Sequence, residues 1–153
     1  QAETEEGISD NLSAHQEGDH GGNARQAQIS RAIVDHSGIA RIHTRLTRIV
    51  SDSDIMLDPL LTMPKLAAAV GATPNQLSFV LNQHLGKSFF DFVNEVRINT
   101  ASRLLIDEPD RTILDIATEV GFNSKSTFNQ AFKKITGQTP SVYRSNNDVK
   151  SKV

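Results

Sequence analysis

The chain has 153 residues, of which 37% are hydrophobic, with no cysteine and a formal charge of −2. This length fits one domain or two very small ones, and the lack of cysteine excludes disulfides, a thiolate zinc site and a cysteine nucleophile while fitting a reducing compartment. No apolar run reaches the roughly 18 residues of a membrane-spanning helix, and no signal-peptide pattern is present.

The charge is unevenly spread. Residues 1–40 hold two Arg against seven acids, whereas residues 41–144 hold 12 Lys plus Arg against 10 acids. From Gly121 to Arg144 the chain carries Lys125, Lys133, Lys134 and Arg144 and no acid. The near-neutral average conceals an acidic leader beside a basic C-terminal segment, so it does not argue against a nucleic-acid partner.

The leader, residues 1–38, starts at Gln1 rather than Met and is expected to be a flexible linker severed from an absent upstream domain. Its first 28 residues hold two large aliphatics and no aromatic, too little apolar surface to offset ordering entropy. His15, Glu17, Asp19 and His20 lie close together there but lack helical ligand spacing, so no metal and no cofactor are expected. Ile29, Ile33 and Val34 are spaced like a helix face that ends at Ser37-Gly38.

Helical periodicity takes over with Ile39, Ile42, Leu46 and Ile49, until the run SDSDIMLDP breaks it. Thr62 and Pro64 then open a helix carrying Leu66, Ala67 and Val70, which Gly71 ends. Thr73-Pro74 starts the next, with Leu77, Val80, Leu81 and His84 on the core side and Gly86 as its stop. Ser88 caps a longer helix through Phe92, Val93, Val96, Ala101, Leu104 and Leu105, closed by Pro109. Thr112 opens another with Ile113, Ile116, Ala117 and Val120, stopped by Gly121. Ser124 or Ser126 begins a helix with Phe128, Ala131, Phe132 and Ile135 inward, and Thr139-Pro140 starts a short last turn to Tyr143. Residues 145–153 read as a flexible tail. No alternating stretch argues for a strand. The fold class is all-α, with about seven helices over residues 39–144.

Two segments repeat. Leu66, Ala67, Val70 and Gly71 align with Ile116, Ala117, Val120 and Gly121 at an offset of 50. Leu77, Leu81, Gly86 and Ser88 align with Phe128, Phe132, Gly137 and Thr139 at an offset of 51. Each copy is a short helix, a Gly turn and a second helix ending in Gly. A small Ala four residues before that turn lets two helices cross closely, the shape of a helix-turn-helix. Two copies joined by one helix are far more specific than one.

The faces of the two second helices follow from the period. Asn75, Ser78, Phe79 and Asn82 stand opposite the core in the first, with Gln76 at the flank. Ser126, Asn129, Gln130 and Lys133 stand outward in the second, with Lys125 and Thr127 near its start. Asn and Gln suit the edge of adenine. Lys87, Lys133, Lys134 and Arg144 suit phosphates, as do the helix starts at Thr73 and Ser124. Arg97, on the joining helix, is expected to form a structural pair with Asp91 or Glu95.

The stretch from LLTMPKLAAAVGATPNQLSF to IATEVGFNSKSTFNQAFKKITGQTPSVYR, with VNEVRINTASRLL between, resembles the DNA-binding domain of AraC/XylS-type bacterial transcription regulators. The resemblance implies two homeodomain-like helix-turn-helix subdomains on one rigid helix, reading adjacent major-groove segments of double-stranded DNA. It places base contacts at Asn75, Ser78 and Phe79, and at Lys125, Ser126, Thr127 and Gln130. Phe79 departs from the long polar or basic residue frequent there. The resemblance also implies RNA polymerase as a partner, an upstream sensor or dimerisation region, a homodimeric full-length protein and a cytoplasmic location. The run DHSGIARIHTRLTRIV is similar to a subset anchored in the inner membrane by upstream spans.

Two other functions have less in the sequence to support them. An enzyme lacks support: no P-loop, G-x-S-x-G or HExxH is present, and AraC-like alkyl-transfer repair proteins need cysteines. An all-α protein-interaction adaptor with weak or lost DNA binding rests on Phe79 and the modest charge.

Overall fold

The computed structural model describes residues 35–52 and 54–151, so the expectations for residues 1–34 lie outside the described residues. Seven α-helices and no strand occur among the described residues. They are α1 (His36–Asp52), α2 (Met63–Val70), α3 (Pro74–Phe79), α4 (Phe89–Asp107), α5 (Ile113–Glu119), α6 (Lys125–Thr136) and α7 (Pro140–Ser151). A 3-10 turn, Asp54–Leu57, follows α1, and α3 runs on as a π-helical turn, Val80–His84.

The caps follow the sequence. Thr62, Ser88, Thr112 and Ser124 each accept a hydrogen bond from the backbone N–H three residues on, and Thr73 does so within a full capping box. Three expectations at the chain's ends need correcting. Ser37-Gly38 does not stop a helix but lies in the first turn of α1. There the Asp35 carboxylate accepts from the Gly38 N–H at 2.8 Å and the Ser37 hydroxyl at 2.9 Å. These bonds hold the Asp35 carboxyl below its usual range. The final turn does not stop at Tyr143, because α7 continues to Ser151. Residues 145–151, expected to be flexible, are therefore helical.

The repeat extends to individual hydrogen bonds. In the first hairpin the Ala72 N–H donates to the Ala67 carbonyl at 2.9 Å, and in the second Phe122 donates to Ala117 at 3.0 Å. Each turn glycine has a positive φ, 69° at Gly71 and 105° at Gly121. Ala67 and Ala117 are fully buried beneath the turns, which lets the helices of each hairpin close up.

Two apolar cores result. The first gathers Ile42, Leu46, Met56, Leu66, Val70, Leu77, Val80 and Leu81, and the second Ile116, Val120, Phe122, Phe128 and Phe132. Helix α4 serves both. Its Val93 enters the first core, while Ile98, Ala101 and Leu105 enter the second. The second core is aromatic-rich, with Phe122, Phe128, Phe132 and Tyr143 in a chain of tilted and edge-on rings at 5.3–5.6 Å.

Between the cores sits Arg97, which is 9% exposed. It does not pair with Asp91 or Glu95. Its Nε donates to the Met56 carbonyl at 2.8 Å and its Nη2 to the Asp58 carbonyl at 2.7 Å. Its guanidinium carbon lies 5.8 Å from the centre of the Phe122 ring. Asp91 and Glu95 instead face Lys134 and Lys87.

The glycine turns yield a graded test. A Cβ on Gly86 would meet nothing within 4 Å, whereas one on Gly121 would lie 2.7 Å from the Leu57 carbonyl and 2.9 Å from Arg97 Nε. Gly86→Ala carries only the left-handed backbone strain, about 1 kcal/mol. Gly121→Ala adds a collision with fixed backbone and is expected to cost about 3 kcal/mol or more. Urea unfolding of both variants measures this, and equal losses would contradict the packing described.

Candidate nucleic-acid interface

The first candidate recognition helix is short and heavily engaged. Leu77, Val80 and Leu81 are buried, and Asn75 and Asn82 are exposed. Gln76 is half-buried and its side-chain oxygen accepts from the Thr73 N–H at 3.0 Å, while the Thr73 hydroxyl accepts from the Gln76 N–H at 3.2 Å. The capping box thus occupies both polar groups expected at the flank and at the helix start. Asn82 Nδ2 donates to Ser78 Oγ at 3.2 Å, one helical turn back.

Phe79 is half-buried and packs against the first core, its ring edge-on to His84 at 5.7 Å. His84, expected on the core side, is exposed. The reason is the π-helical turn from Val80 to His84, closed by Leu85 N–H donating to the Val80 carbonyl at 3.2 Å. This wider turn slows the rotation along the helix, so His84 does not come back to the face of Val80 and Leu81.

The second candidate recognition helix, α6, is longer and presents a cleaner face. Phe128 and Phe132 are buried. Lys125, Ser126, Thr127, Gln130, Lys133 and Lys134 are exposed, and Asn129 is half-buried. The cap is Ser124 rather than Ser126. Its Oγ accepts from the Thr127 N–H at 3.2 Å and its hydroxyl donates to Thr127 Oγ1 at 2.8 Å. This fixes Thr127 at the start of the helix and leaves Ser126 outward. Ile135, expected inward, is 38% exposed at the end of the apolar stripe.

The cations divide into committed and displayed groups. Lys87 pairs with Glu95 at 2.7 Å, and Lys134 approaches Asp91 at 3.7 Å. These exposed pairs contribute little to stability but reduce the local positive field. Arg144, expected at phosphates, turns instead to the end of α4. Its Nε donates to the Leu105 carbonyl at 3.1 Å and its Nη2 to the Glu108 carbonyl at 3.5 Å. There it satisfies helix-end carbonyls that lack intrahelical donors.

Sequence reasoning passed over a cleft between the subdomains. Phe90, Asn94, Arg97, Asn123 and Thr127 line it, and Phe90 is 74% exposed beside it. The hint in the sequence was Phe89-Phe90 after the Ser88 cap, since adjacent helical residues point to different faces and only Phe89 packs against the first core. Among the described residues no cluster of His, Asp or Glu could hold a metal, and no helix is long and apolar enough to cross a membrane.

The helix-turn-helix domain family matches residues 66–146, more than half of the chain. Similar solved structures include a transcriptional regulator with an AraC-type DNA-binding domain from Chromobacterium violaceum. It is 27% identical with a TM-score of 0.59, over 67% of this chain and 91% of that one. The chain belongs to the AraC-type helix-turn-helix family. The C-terminal domain of the response regulator AraT from Geobacillus stearothermophilus is also similar. It is 28% identical, with a TM-score of 0.59, over 69% of this chain and 84% of that one. Among curated proteins, the HTH-type transcriptional regulator GlxA of Rhizobium meliloti (strain 1021) is 31% identical over 102 residues. An uncharacterized HTH-type transcriptional regulator of Staphylococcus aureus (strain COL) is 39% identical over 84 residues. The matches span 67% and 55% of this chain but only 31% and 11% of those relatives. The AraC-type family accounts for the repeat, the joining helix and the all-α fold.

The sorting of cations is measurable. Arg144→Ala is expected to lower unfolding stability by about 1–2 kcal/mol and leave the salt dependence of duplex binding unchanged. Lys133→Ala is expected to leave stability within about 0.5 kcal/mol and reduce the slope of log affinity against log salt by about 0.9. The opposite pattern would return Arg144 to the phosphate set.

Proposed function

We propose that this chain binds double-stranded DNA sequence-specifically and regulates bacterial transcription, with α3 and α6 entering adjacent major grooves on one face of the duplex. The observation that carries this reading is the pair of capped helix-turn-helix hairpins mounted on α4, each with a polar face turned outward. Its relatives, which include HTH-type transcriptional regulators, support it.

In this reading α6 supplies most of the base readout through Lys125, Ser126, Thr127 and Gln130, with Asn129 at its margin. Lys133 and the Ser124 helix start meet phosphate. Asn75 is the freest reader on α3, because Gln76, Ser78, Asn82 and Phe79 all have partners within the fold. Lys87 and Lys134 reach phosphates only by leaving their carboxylates. The reading assigns the chain no catalytic step.

DNA as partner implies work in the cytoplasm. We further propose that the full-length protein contacts RNA polymerase and dimerises or senses a signal through other regions, with inner-membrane anchoring as one form. The adaptor alternative gains nothing from the geometry, since Phe79 packs into the first core rather than forming an exposed apolar contact.

Selection from random duplex DNA tests the reading. The expected motif has two half-sites about one helical turn apart, bound with affinity that falls steeply with salt. Failure to enrich any motif would contradict it. Gln130→Ala is expected to relax preference at one base position of the α6 half-site, losing about 1–3 kcal/mol of discrimination. An unaltered motif would remove Gln130 from the readout.

A further inference from the structure

Arg97 lies on α4 between Val93, which closes the first core, and Ile98, which enters the second. Both of its hydrogen bonds go to main-chain carbonyls of the first subdomain, Met56 at 2.8 Å and Asp58 at 2.7 Å. Its guanidinium also stands over Phe122, in the turn of the second hairpin, at 5.8 Å. The joint is close-packed, since a Cβ on Gly121 would come within 2.7 Å of the Leu57 carbonyl and 2.9 Å of Arg97 Nε.

The rest of the first subdomain meets α4 along a stripe, Phe89, Phe92, Val93 and Val96. Apolar contact along one stripe is non-directional, so it resists separation better than it resists rolling. The two carbonyl bonds, to the 3-10 turn and the residue after it, are directional and lie at the C-terminal end of that stripe, where Arg97 stands four residues after Val93; they add the fixed angle that apolar contact lacks.

We infer that Arg97 is a positioning residue that sets spacing specificity: it fixes α3 and α6 in one relative register, so the chain discriminates operators by the base pairs between half-sites. This rests on the DNA-binding reading above. One inserted base pair displaces a half-site by about 3.4 Å and rotates it by about 34°. A locked joint cannot follow, so one helix loses its groove. A joint without the guanidinium bonds rolls about the apolar stripe and follows the displaced half-site.

The experiment compares the wild-type chain with Arg97→Met and Arg97→Lys on duplexes carrying the selected motif, at native spacing and with one base pair inserted or removed. The wild type is expected to prefer native spacing by about tenfold or more. In Arg97→Met, which keeps an apolar stem without donors, the preference is expected to fall below about threefold. Arg97→Lys keeps a donor for one carbonyl and is expected to fall between. An equal loss of affinity at every spacing, with the preference intact, assigns Arg97 to stability alone and overturns the inference. If circular dichroism shows Arg97→Met unfolded, Arg97→Lys decides by the same ratio. A wild-type chain that selects no motif contradicts the DNA-binding reading itself, before any variant is compared, and this inference falls with it.

Discussion

One buried guanidinium ties the two halves of this protein together. Arginine stays protonated in proteins, so a buried one must find hydrogen-bond acceptors or the fold loses several kcal/mol. Burial pulls the Arg97 pKa down and the nearby Asp58 charge pushes it back, yet its ordinary value is so high that the charge persists. The need is met by two carbonyls at the end of the first subdomain's 3-10 segment and by the face of Phe122 in the second hairpin. Hydrogen bonds from a charged donor are worth about 1.5–3 kcal/mol each. The same contacts explain why position 121, with its positive φ of 105°, is glycine, since a side chain there would also collide with Arg97 and the Leu57 carbonyl. The second turn and the first subdomain's 3-10 segment thus meet at a single cation.

Around that joint the repeated hairpins carry different loads. The first builds its core mostly from aliphatics and ends its second helix in a π-helical turn. It also spends most of its candidate readers on itself, Gln76 in the capping box, Asn82 on Ser78 and Phe79 against the core. The second builds its core on tilted and edge-on aromatics, and its longer helix leaves Lys125, Ser126, Gln130 and Lys133 outward. A shared shape therefore does not mean shared duty. In the proposed function α6 reads sequence and α3 chiefly fixes the frame from which it reads.

Much of what depends on local side-chain chemistry was legible in the sequence. The threonine and serine caps, the turn glycines, the Ala67 and Ala117 crossings and most core residues follow from spacing, whereas Met56, Ile98 and Phe122 do not and Ile135 is exposed. What escaped depends on main-chain partners or on small departures from the helical period. Carbonyls carry no residue identity, so nothing in the sequence marked Met56 and Asp58 as partners of Arg97, or Leu105 and Glu108 as partners of Arg144. His84 was misplaced because a strict 3.6-residue period cannot anticipate a π-helical turn. Ser37-Gly38 looked like a stop because an aspartate cap outweighs a mid-turn glycine only when the two are seen together. The polar run after Tyr143 carried no apolar stripe, yet it stays helical where Asn147 Nδ2 donates back to the Tyr143 carbonyl at 2.9 Å.

The central claim is that the two subdomains form one rigid reading head before DNA arrives. The chain contains no cysteine, so paired spin labels can be placed without background. Ala68 on α2 and Thr118 on α5 are both exposed, one in each subdomain and away from the outward faces of α3 and α6. Pulsed electron paramagnetic resonance on Ala68→Cys with Thr118→Cys measures their separation directly. The account predicts one narrow distance distribution, unchanged when duplex is added. A broad or double distribution in the free chain, sharpening only on DNA, would contradict it.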